Sequence, residues 1–281
     1  MLVNSVILVL QETLEAALLI SVLLSISFQT RVGVGWLPYG LVGGGVFAAI
    51  YAANMAAISV WFDYVGQEIV NAQLQTGIAL LIPVYGWLVF GLDDARSSHS
   101  QNSAVTLRRL PLIAAWSAAA IVTMAIAREG SEVYLYISGF FLGSDHLSSV
   151  LAGSGLGFGI GLSIGTLLFF ALSSDHNRWR RRAAILLLAL FAGNMLSQSV
   201  VQLTQADWIS GSTAYWDTSN WISEQSVTGQ LLYASLGYEA TPSIQQIMAH
   251  LTGTLVVFSL IAGRSFFARK KANQPAGLLT K

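Results

Sequence analysis

The chain has 281 residues, of which 54% are hydrophobic and only 10% are charged, and its mean hydropathy is +0.62. Soluble domains carry about 25% charged residues, so this composition excludes a soluble globular enzyme and a disordered chain and indicates a polytopic membrane protein. The 14 basic and 14 acidic residues balance, which argues against a polybasic nucleic-acid-binding surface. Because there is no cysteine, any metal site would use oxygen or imidazole ligands.

Seven apolar stretches approach or exceed the length of about 20 residues that a helix needs to cross a bilayer. They predict an all-α membrane protein with transmembrane helices at residues 4–28, 37–61, 73–91, 111–142, 151–172, 183–205 and 243–263. The longest connection is residues 207–241. Its aromatic residues Trp208, Tyr215, Trp216 and Trp221 are typical of a segment at the membrane interface.

The basic residues predict an orientation for these spans. Thirteen of the fourteen lie in the first, third and fifth loops and in the tail, and the fourteenth, Arg128, lies inside a span. The positive-inside rule then places the N-terminus outside and the C-terminus in the cytoplasm. The opposite face carries the acidic residues Asp63, Glu68, Asp145, Asp207, Asp217, Glu224 and Glu239. One interpretation is that this acidic face is simply what is left when basic residues are kept on the cytoplasmic side. The other is that it attracts cations to an entrance.

An internal repeat is visible at an offset of 117 residues. QETLEAALLIS (11–21) aligns with REGSEVYLYIS (128–138), and the row Gly40, Gly44 and Ala48 falls on Gly157, Gly161 and Gly165. The shared offset predicts two inverted three-helix halves, residues 1–110 and 111–206, followed by an outer loop, a seventh helix and a basic cytoplasmic tail in residues 207–281. We interpret the small-residue rows as close helix packing, because no strand precedes them as a nucleotide-binding loop would require.

Four glutamates lie within the predicted membrane spans. Glu12 and Glu15 share one face of the first helix, and Glu129 and Glu132 share one face of the fourth, where Arg128 adjoins them. An ionised side chain at the bilayer centre costs about 2.5–3.5 kcal/mol. Protonation, an ion-pair network around Arg128, a water-filled cavity or a bound cation could offset that cost. Since one arginine cannot neutralise four carboxylates, we favour a cation site; hard oxygen ligands suit Fe, Mn, Mg or Ca, and proton transport stays open.

Paired R-E-G-x-E motifs in the first and fourth of seven spans resemble those of the high-affinity iron permeases. REGSE (128–132) matches the motif in full, whereas QETLEA (11–16) keeps both glutamates but has Gln11 and Thr13 where the family often has Arg and Gly. GYEATPSIQQIMAH (237–250) is similar to the family's stretch before its last helix, with His250 in place of an aromatic residue. The resemblance covers nearly the whole chain.

This resemblance implies a function and a set of partners. Glu12, Glu15, Glu129 and Glu132 would handle iron as the transported substrate, with no permanently bound cofactor. The chain would be a multi-pass transporter in a cell membrane, with a bacterial inner membrane favoured by its compactness. Oxidation chemistry would belong to a separate extracytoplasmic oxidase, peroxidase or iron-binding partner, so the chain itself would not be an enzyme.

Further polar residues are weaker candidates for a supporting or pathway role, as is Arg128. Glu68 is expected just before the third span, where a solvated loop charge is an equal interpretation. Asn194, Gln198 and Gln202 form a stripe in the sixth span that lines a pathway or bonds helices together. Gln246 and His250 share a face of the seventh span, where structural hydrogen bonding is the simpler interpretation.

Two other functional classes fit the same residues. One is an intramembrane di-iron carboxylate oxidoreductase, although the Glu-x-x-His pairing of ferritin-like sites is missing. The other is a transporter of another divalent cation or a proton-coupled carrier. Metal-dependent oxygen consumption would favour the first, and competition among metals for uptake would separate the second from an iron permease.

Overall fold

The computed structural model describes residues 1–97, 106–140, 147–173 and 178–272, which are helical almost throughout. The helices are α1 (Leu2–Gln29), α2 (Trp36–Ala53), α3 (Met55–Ser59), α4 (Trp61–Tyr64), α5 (Gly66–Ser97), α6 (Thr106–Ser138), α7 (Leu147–Ser173), α8 (Arg178–Gln205), α9 (Val227–Leu236) and α10 (Ile244–Ala272). Within these described ranges, the extended pairing is limited to an isolated bridge between Ala214 and Ser243.

Among the described residues, seven helices are long and apolar enough to cross a membrane, which confirms the predicted number. The spans are Leu2–Gln29, Trp36–Ala53, Gly66–Leu92, Leu110–Ser138, Leu147–Ser173, Trp179–Gln205 and Ile244–Ile261. The fourth helix ends at Ser138, earlier than the predicted end at residue 142. Residues 141–142 and the predicted outer residue Asp145 lie outside the described residues.

The connection between α2 and α5 differs from the prediction. The second span ends at Ala53, eight residues before the predicted end, and the chain continues through the short helices α3 and α4. Phe62, Asp63 and Tyr64 all have positive φ angles, between 52° and 74°. Residues with side chains rarely adopt this left-handed conformation, so a continuous helix through this apolar stretch is interrupted here.

The third span begins earlier than predicted. Helix α5 begins at Gly66, so Glu68 lies in its first turn and not in a loop, which corrects the predicted position of this residue. A carboxylate in the first turn of a helix is stabilised by the helix dipole. The same face of α5 continues inward through Asn71 and Gln75, which are both buried.

Small residues bring two pairs of helices into close contact. A Cβ atom at Gly157 of α7 would lie 2.5 Å from the Val6 carbonyl oxygen of α1, and one at Gly44 of α2 would lie 2.5 Å from the Ile126 Cβ of α6. Along α1 and α7 the contacts continue to Gln29 Nε2, which donates to the Leu172 carbonyl oxygen at 3.0 Å. The small-residue rows therefore pack helices together, as their spacing predicts.

The relative direction of the helices agrees with alternating spans. Helices α1 and α7 run parallel, since the start of α1 meets Gly153 and its end meets Leu172. Helices α1 and α6 are antiparallel, because the Ser5 and Tyr136 hydroxyls lie 2.8 Å apart while Glu15 meets Arg128. The crossing of α1 and α6 brings the two glutamate motifs together.

The segment between α8 and α10 contains a helix that the sequence did not predict. Helix α9 is capped at its start by the Ser226 hydroxyl, which accepts a hydrogen bond from the Gly229 amide, and it ends at Gly237 with a φ of 70°. It packs against α1 and α8. Trp208, Tyr215, Trp216 and Trp221 of the same segment are exposed, as expected for an interfacial segment.

Candidate metal site

Three of the four predicted carboxylates converge between α1 and α6. Glu12, Glu129 and Glu132 each offer a carboxylate oxygen that lies within 4.8 Å of those of the other two. Each E-x-x-E spacing places its pair one helical turn apart on a single face. Because α1 and α6 are antiparallel and cross at this level, the two faces oppose one another.

The three carboxylates differ in their access to solvent. Glu12 and Glu129 are 7% and 5% exposed, whereas the Glu132 side chain is 31% exposed. The Tyr51 hydroxyl of α2 donates to Asn71 Oδ1 of α5 at 3.0 Å. Glu132 is the most exposed carboxylate of the cluster.

The fourth carboxylate, Glu15, is not in this group and pairs with Arg128. Arg128 Nη1 donates to Glu15 Oε2 at 3.3 Å and also to Glu129 Oε1. Its Nε lies 3.8 Å from Glu132 Oε1. Arg128 thus shares its charge between the carboxylates of the two motifs.

Two carboxylate oxygens of the cluster have unmet bonding capacity. Glu12 Oε2 and Glu129 Oε2 are buried and make no hydrogen bond within the described part of the chain. A buried acceptor without a partner costs about 1–3 kcal/mol, and more when it is charged. A hard cation bound by these oxygens would satisfy them, and carboxylate oxygen donors suit iron, manganese, magnesium and calcium.

One glutamine side chain contacts Glu15, and a second glutamine, which the sequence analysis did not identify, contacts the first. Gln198 Nε2 donates to Glu15 Oε2 at 3.2 Å, so this predicted pathway residue contacts the site directly. Gln75 of α5, which was not predicted, donates to Gln198 Oε1 at 2.7 Å. The signal that could have revealed it is the polar spacing of Glu68, Asn71 and Gln75 on one face of an otherwise apolar helix.

The remaining candidates lie farther from the cluster. Gln202 is partly buried on α8, and Asn194 Nδ2 of the same stripe donates to the Tyr233 carbonyl oxygen at 3.3 Å. His250 packs against Gly193 and Gly237. Among the described residues, the acidic and histidine side chains that lie close enough together for metal binding are Glu12, Glu129 and Glu132, so His250 is not part of the group.

Outside the spans, Glu239 is the acidic residue with the most distinctive setting. Burial raises the pKa of its carboxyl above the ordinary value, and the hydrogen bond that Gln246 Nε2 donates to it opposes the shift. Glu224, which accepts a hydrogen bond from the Ala240 amide at 2.6 Å, adds a further upward contribution to the pKa of Glu239. Both glutamates thus accept hydrogen bonds from the chain around the loop between α9 and α10.

Comparison with known proteins identifies the family of the chain. The chain matches the iron permease FTR1 family over residues 2–272. It is 27% identical over 270 residues to the ferrous iron permease EfeU of Shigella sonnei, an alignment that covers 89% of this chain and 93% of that protein. It is 23% identical over 278 residues to ferrous iron permease EfeU of Yersinia pestis, covering 94% and 96% of the two chains. No solved structure matches the chain.

Seven spans around a buried carboxylate cluster define a multi-pass membrane protein with a polar site in its helical core. The family match covers nearly the whole chain and identifies which class of membrane protein this is. The chain belongs to the iron permease FTR1 family, whose members are transporters with iron as their substrate. This finding confirms the resemblance carried by the two glutamate motifs.

Proposed function

We propose that this permease carries ferrous iron into the cytoplasm through a site formed by Glu12, Glu129 and Glu132. The observation that supports the proposal most strongly is the convergence of three carboxylates from two helices, two of them buried with an unpartnered oxygen. The relatives from Shigella and Yersinia are ferrous iron permeases by name. A divalent ion with oxygen ligands fits this donor set.

The charge of the site supports a cationic substrate. If all four glutamates are ionised, they and Arg128 leave three negative charges uncompensated in the membrane core. Buried charges are unfavourable unless they are paired or coordinate a metal. A bound iron ion would neutralise most of this negative charge during its passage. After the ion has left, Arg128 would still pair with carboxylates of the site and so lower the cost of their burial.

Glu15 and Arg128 complete the proposed site in a supporting role. Glu15 accepts hydrogen bonds from both Arg128 and Gln198, so its Oε2 atom is already satisfied. We assign it the task of holding Arg128 away from Glu12. The prediction that Glu15 also handles iron remains part of the proposal, since its carboxylate could reach the ion if Arg128 moved.

Entry from the outer face is supported by the exposure of Glu132. Tyr51 and Glu68 lie near the α2–α5 connection, since Tyr51 is in the last turn of α2 and Glu68 is in the first turn of α5. Phe62 of that connection contacts Trp208 of the α8–α10 segment, with ring centroids 5.8 Å apart, as expected if both lie on one side of the membrane. The distribution of basic residues assigns this side to the exterior, with an inner membrane as the proposed location.

Release toward the cytoplasm would follow from the proposed inverted repeat. The parallel pairs α1–α7 and α2–α6 are related by the same offset that aligns the glutamate motifs, which supports two halves that rearrange around a fixed site. Iron would leave when the halves rearrange or when protons replace the metal on the carboxylates. Absence of any metal- or pH-dependent conformational change would contradict this step. The oxidase or other partner outside the membrane stays a prediction.

Uptake of iron-55 by cells tests the proposed function. We expect Glu12→Gln and Glu129→Gln to lower uptake by roughly 100-fold at equal membrane abundance, because each removes a buried ligand. Glu132→Gln should have a smaller effect, since its side chain is partly exposed. Asp217→Asn serves as the control, because Asp217 is exposed in the outer segment and bonds only locally to the Ser219 amide. Undiminished uptake by Glu12→Gln would contradict the proposal.

A further inference from the structure

Two glutamine side chains connect α5 and α8 to the Glu15 carboxylate. Gln75 is 0% exposed, and its Nε2 donates to Gln198 Oε1 at 2.7 Å. Gln198 Nε2 in turn donates to Glu15 Oε2 at 3.2 Å, and the same oxygen accepts a hydrogen bond from Arg128 at 3.3 Å. The chain of contacts therefore runs from α5 through α8 to α1 and the arginine.

The chemistry of the three groups fixes the direction of this chain. An ionised carboxylate only accepts hydrogen bonds, so Gln198 must present its NH2 group to Glu15. Its carbonyl oxygen then faces α5, where it needs a donor. Gln75 supplies that donor, and without it the buried Gln198 oxygen would lose its hydrogen bond, which would weaken the hold of Gln198 on Glu15.

We propose that Gln75 is a positioning residue of the iron site, which acts through Gln198 to hold Glu15 against Arg128. This inference rests on the proposed function. Arg128 donates to both Glu15 and Glu129. If Glu15 were no longer held, the guanidinium would shift toward Glu129 and Glu132 and compete with iron for their oxygens. Gln75 thus sets the affinity of a site that it does not touch.

A neighbouring contact separates positioning from simple helix packing. The hydroxyls of Thr76 and Ser199 lie 2.7 Å apart and also join α5 to α8. Ser199 additionally donates to the Ala72 carbonyl oxygen at 3.0 Å. This second contact links the same helices at the same level but does not lead to a carboxylate. Thr76→Val is therefore a matched control for the loss of one hydrogen bond between α5 and α8.

The test measures the initial rate of iron-55 uptake against iron concentration at equal membrane abundance. Gln75→Met keeps the side-chain length and removes the donor, and we expect it to raise KM about tenfold while Vmax changes less. Gln198→Met should raise KM at least as much. The double variant should be no worse than Gln198→Met alone, because residues that act through one contact are not additive. Thr76→Val should leave KM unchanged.

Several results would overturn the inference. It fails if Gln75→Met resembles Thr76→Val in KM, or if the two glutamine variants add independently. Should Gln75→Met not accumulate in the membrane, Gln198→Met alone must still raise KM, and an unchanged value would contradict the inference. Glu12→Gln in the same series distinguishes failure of the proposed function from failure of this inference. Retained uptake by Glu12→Gln refutes the proposed function. Lost uptake by Glu12→Gln together with an unchanged KM for Gln75→Met refutes only the positioning role.

Discussion

The glutamate motifs of α1 and α6 have the same spacing but different neighbours. Glu12 and Glu15 follow Gln11, whereas Glu129 and Glu132 follow Arg128, which pairs with carboxylates from both helices. The difference between Gln11 and Arg128 at the first position of the two motifs thus decides where the positive charge lies. As a result, Glu15 is committed to the arginine, while Glu12 keeps an unpartnered oxygen for a cation.

The small-residue rows of α2 and α7 differ in a similar way. A Cβ atom at Gly157 would lie 2.5 Å from the Val6 carbonyl oxygen and 2.9 Å from the Leu10 amide nitrogen, both of which are backbone atoms. At Gly40, the matching position, it would lie 3.0 Å from the Val122 side chain. At Gly157 the contact of α7 with α1 is therefore made with backbone atoms, which cannot yield, whereas at Gly40 the contact of α2 with α6 is made largely with side-chain atoms.

The largest expected effect comes from removing the arginine that distinguishes the motifs. Arg128→Gln should destabilise the protein by about 3–5 kcal/mol, because it leaves buried carboxylates without their partner. Membrane abundance and the Tm of the purified protein measure this effect. Gln11→Arg combined with Arg128→Gln, which moves the charge to the other motif, should recover part of the loss. Wild-type stability of Arg128→Gln would show that the asymmetry has no structural importance.

A smaller effect is expected from the glycine rows. Gly157→Ala should destabilise the protein by about 1–3 kcal/mol, since backbone atoms block the new methyl group, and Gly40→Ala by less than that. Gly155→Ala is the control on the same helix, because a Cβ atom there meets nothing within 4 Å. Thermal unfolding in detergent gives the ranking. An equal loss for Gly40→Ala and Gly157→Ala would contradict the difference between the two contacts.

The smallest effect is expected from Glu239, in the loop between α9 and α10. The raised pKa of Glu239 means that folding favours its protonated form, so its contribution to stability is greatest at acid pH and is lost as the pH rises through the folded-state pKa. Glu239→Gln retains an acceptor for Gln246 and should raise Tm by roughly 1–2 °C at pH 7, with no gain at pH 4. A gain of equal size at both pH values would rule out this explanation.

Much of this comparison was predictable from the sequence. Hydropathy and length predicted seven spans, and the E-x-x-E spacing predicted that each glutamate pair shares a face, since both depend on local periodicity alone. The packing role of the glycine rows followed from the same kind of argument. The shared offset of 117 residues also indicated which helices carry corresponding positions.

The sequence did not predict how Glu15 and Gln75 are used. Periodicity assigns a residue to a face of its own helix but does not identify the helix that the face meets, so the contact from Gln75 through Gln198 to Glu15 could not be derived. The end of α2 at Ala53 was missed for another reason. The residues that follow are mostly as apolar as the span itself, and the break lies in the backbone conformation of Asn54, which leaves the helical range with a φ of −104° and a ψ of 7°.

Iron binding by the purified permease tests the central claim most directly. Equilibrium dialysis against iron-55 as ferrous iron, under anaerobic conditions, measures stoichiometry and affinity for the wild type, Glu12→Gln and Glu15→Gln. We predict that a single ion binds the wild type, that Glu12→Gln abolishes this binding, and that Glu15→Gln weakens it without abolishing it. Wild-type affinity in folded Glu12→Gln would contradict the claim that the three clustered carboxylates bind the transported iron.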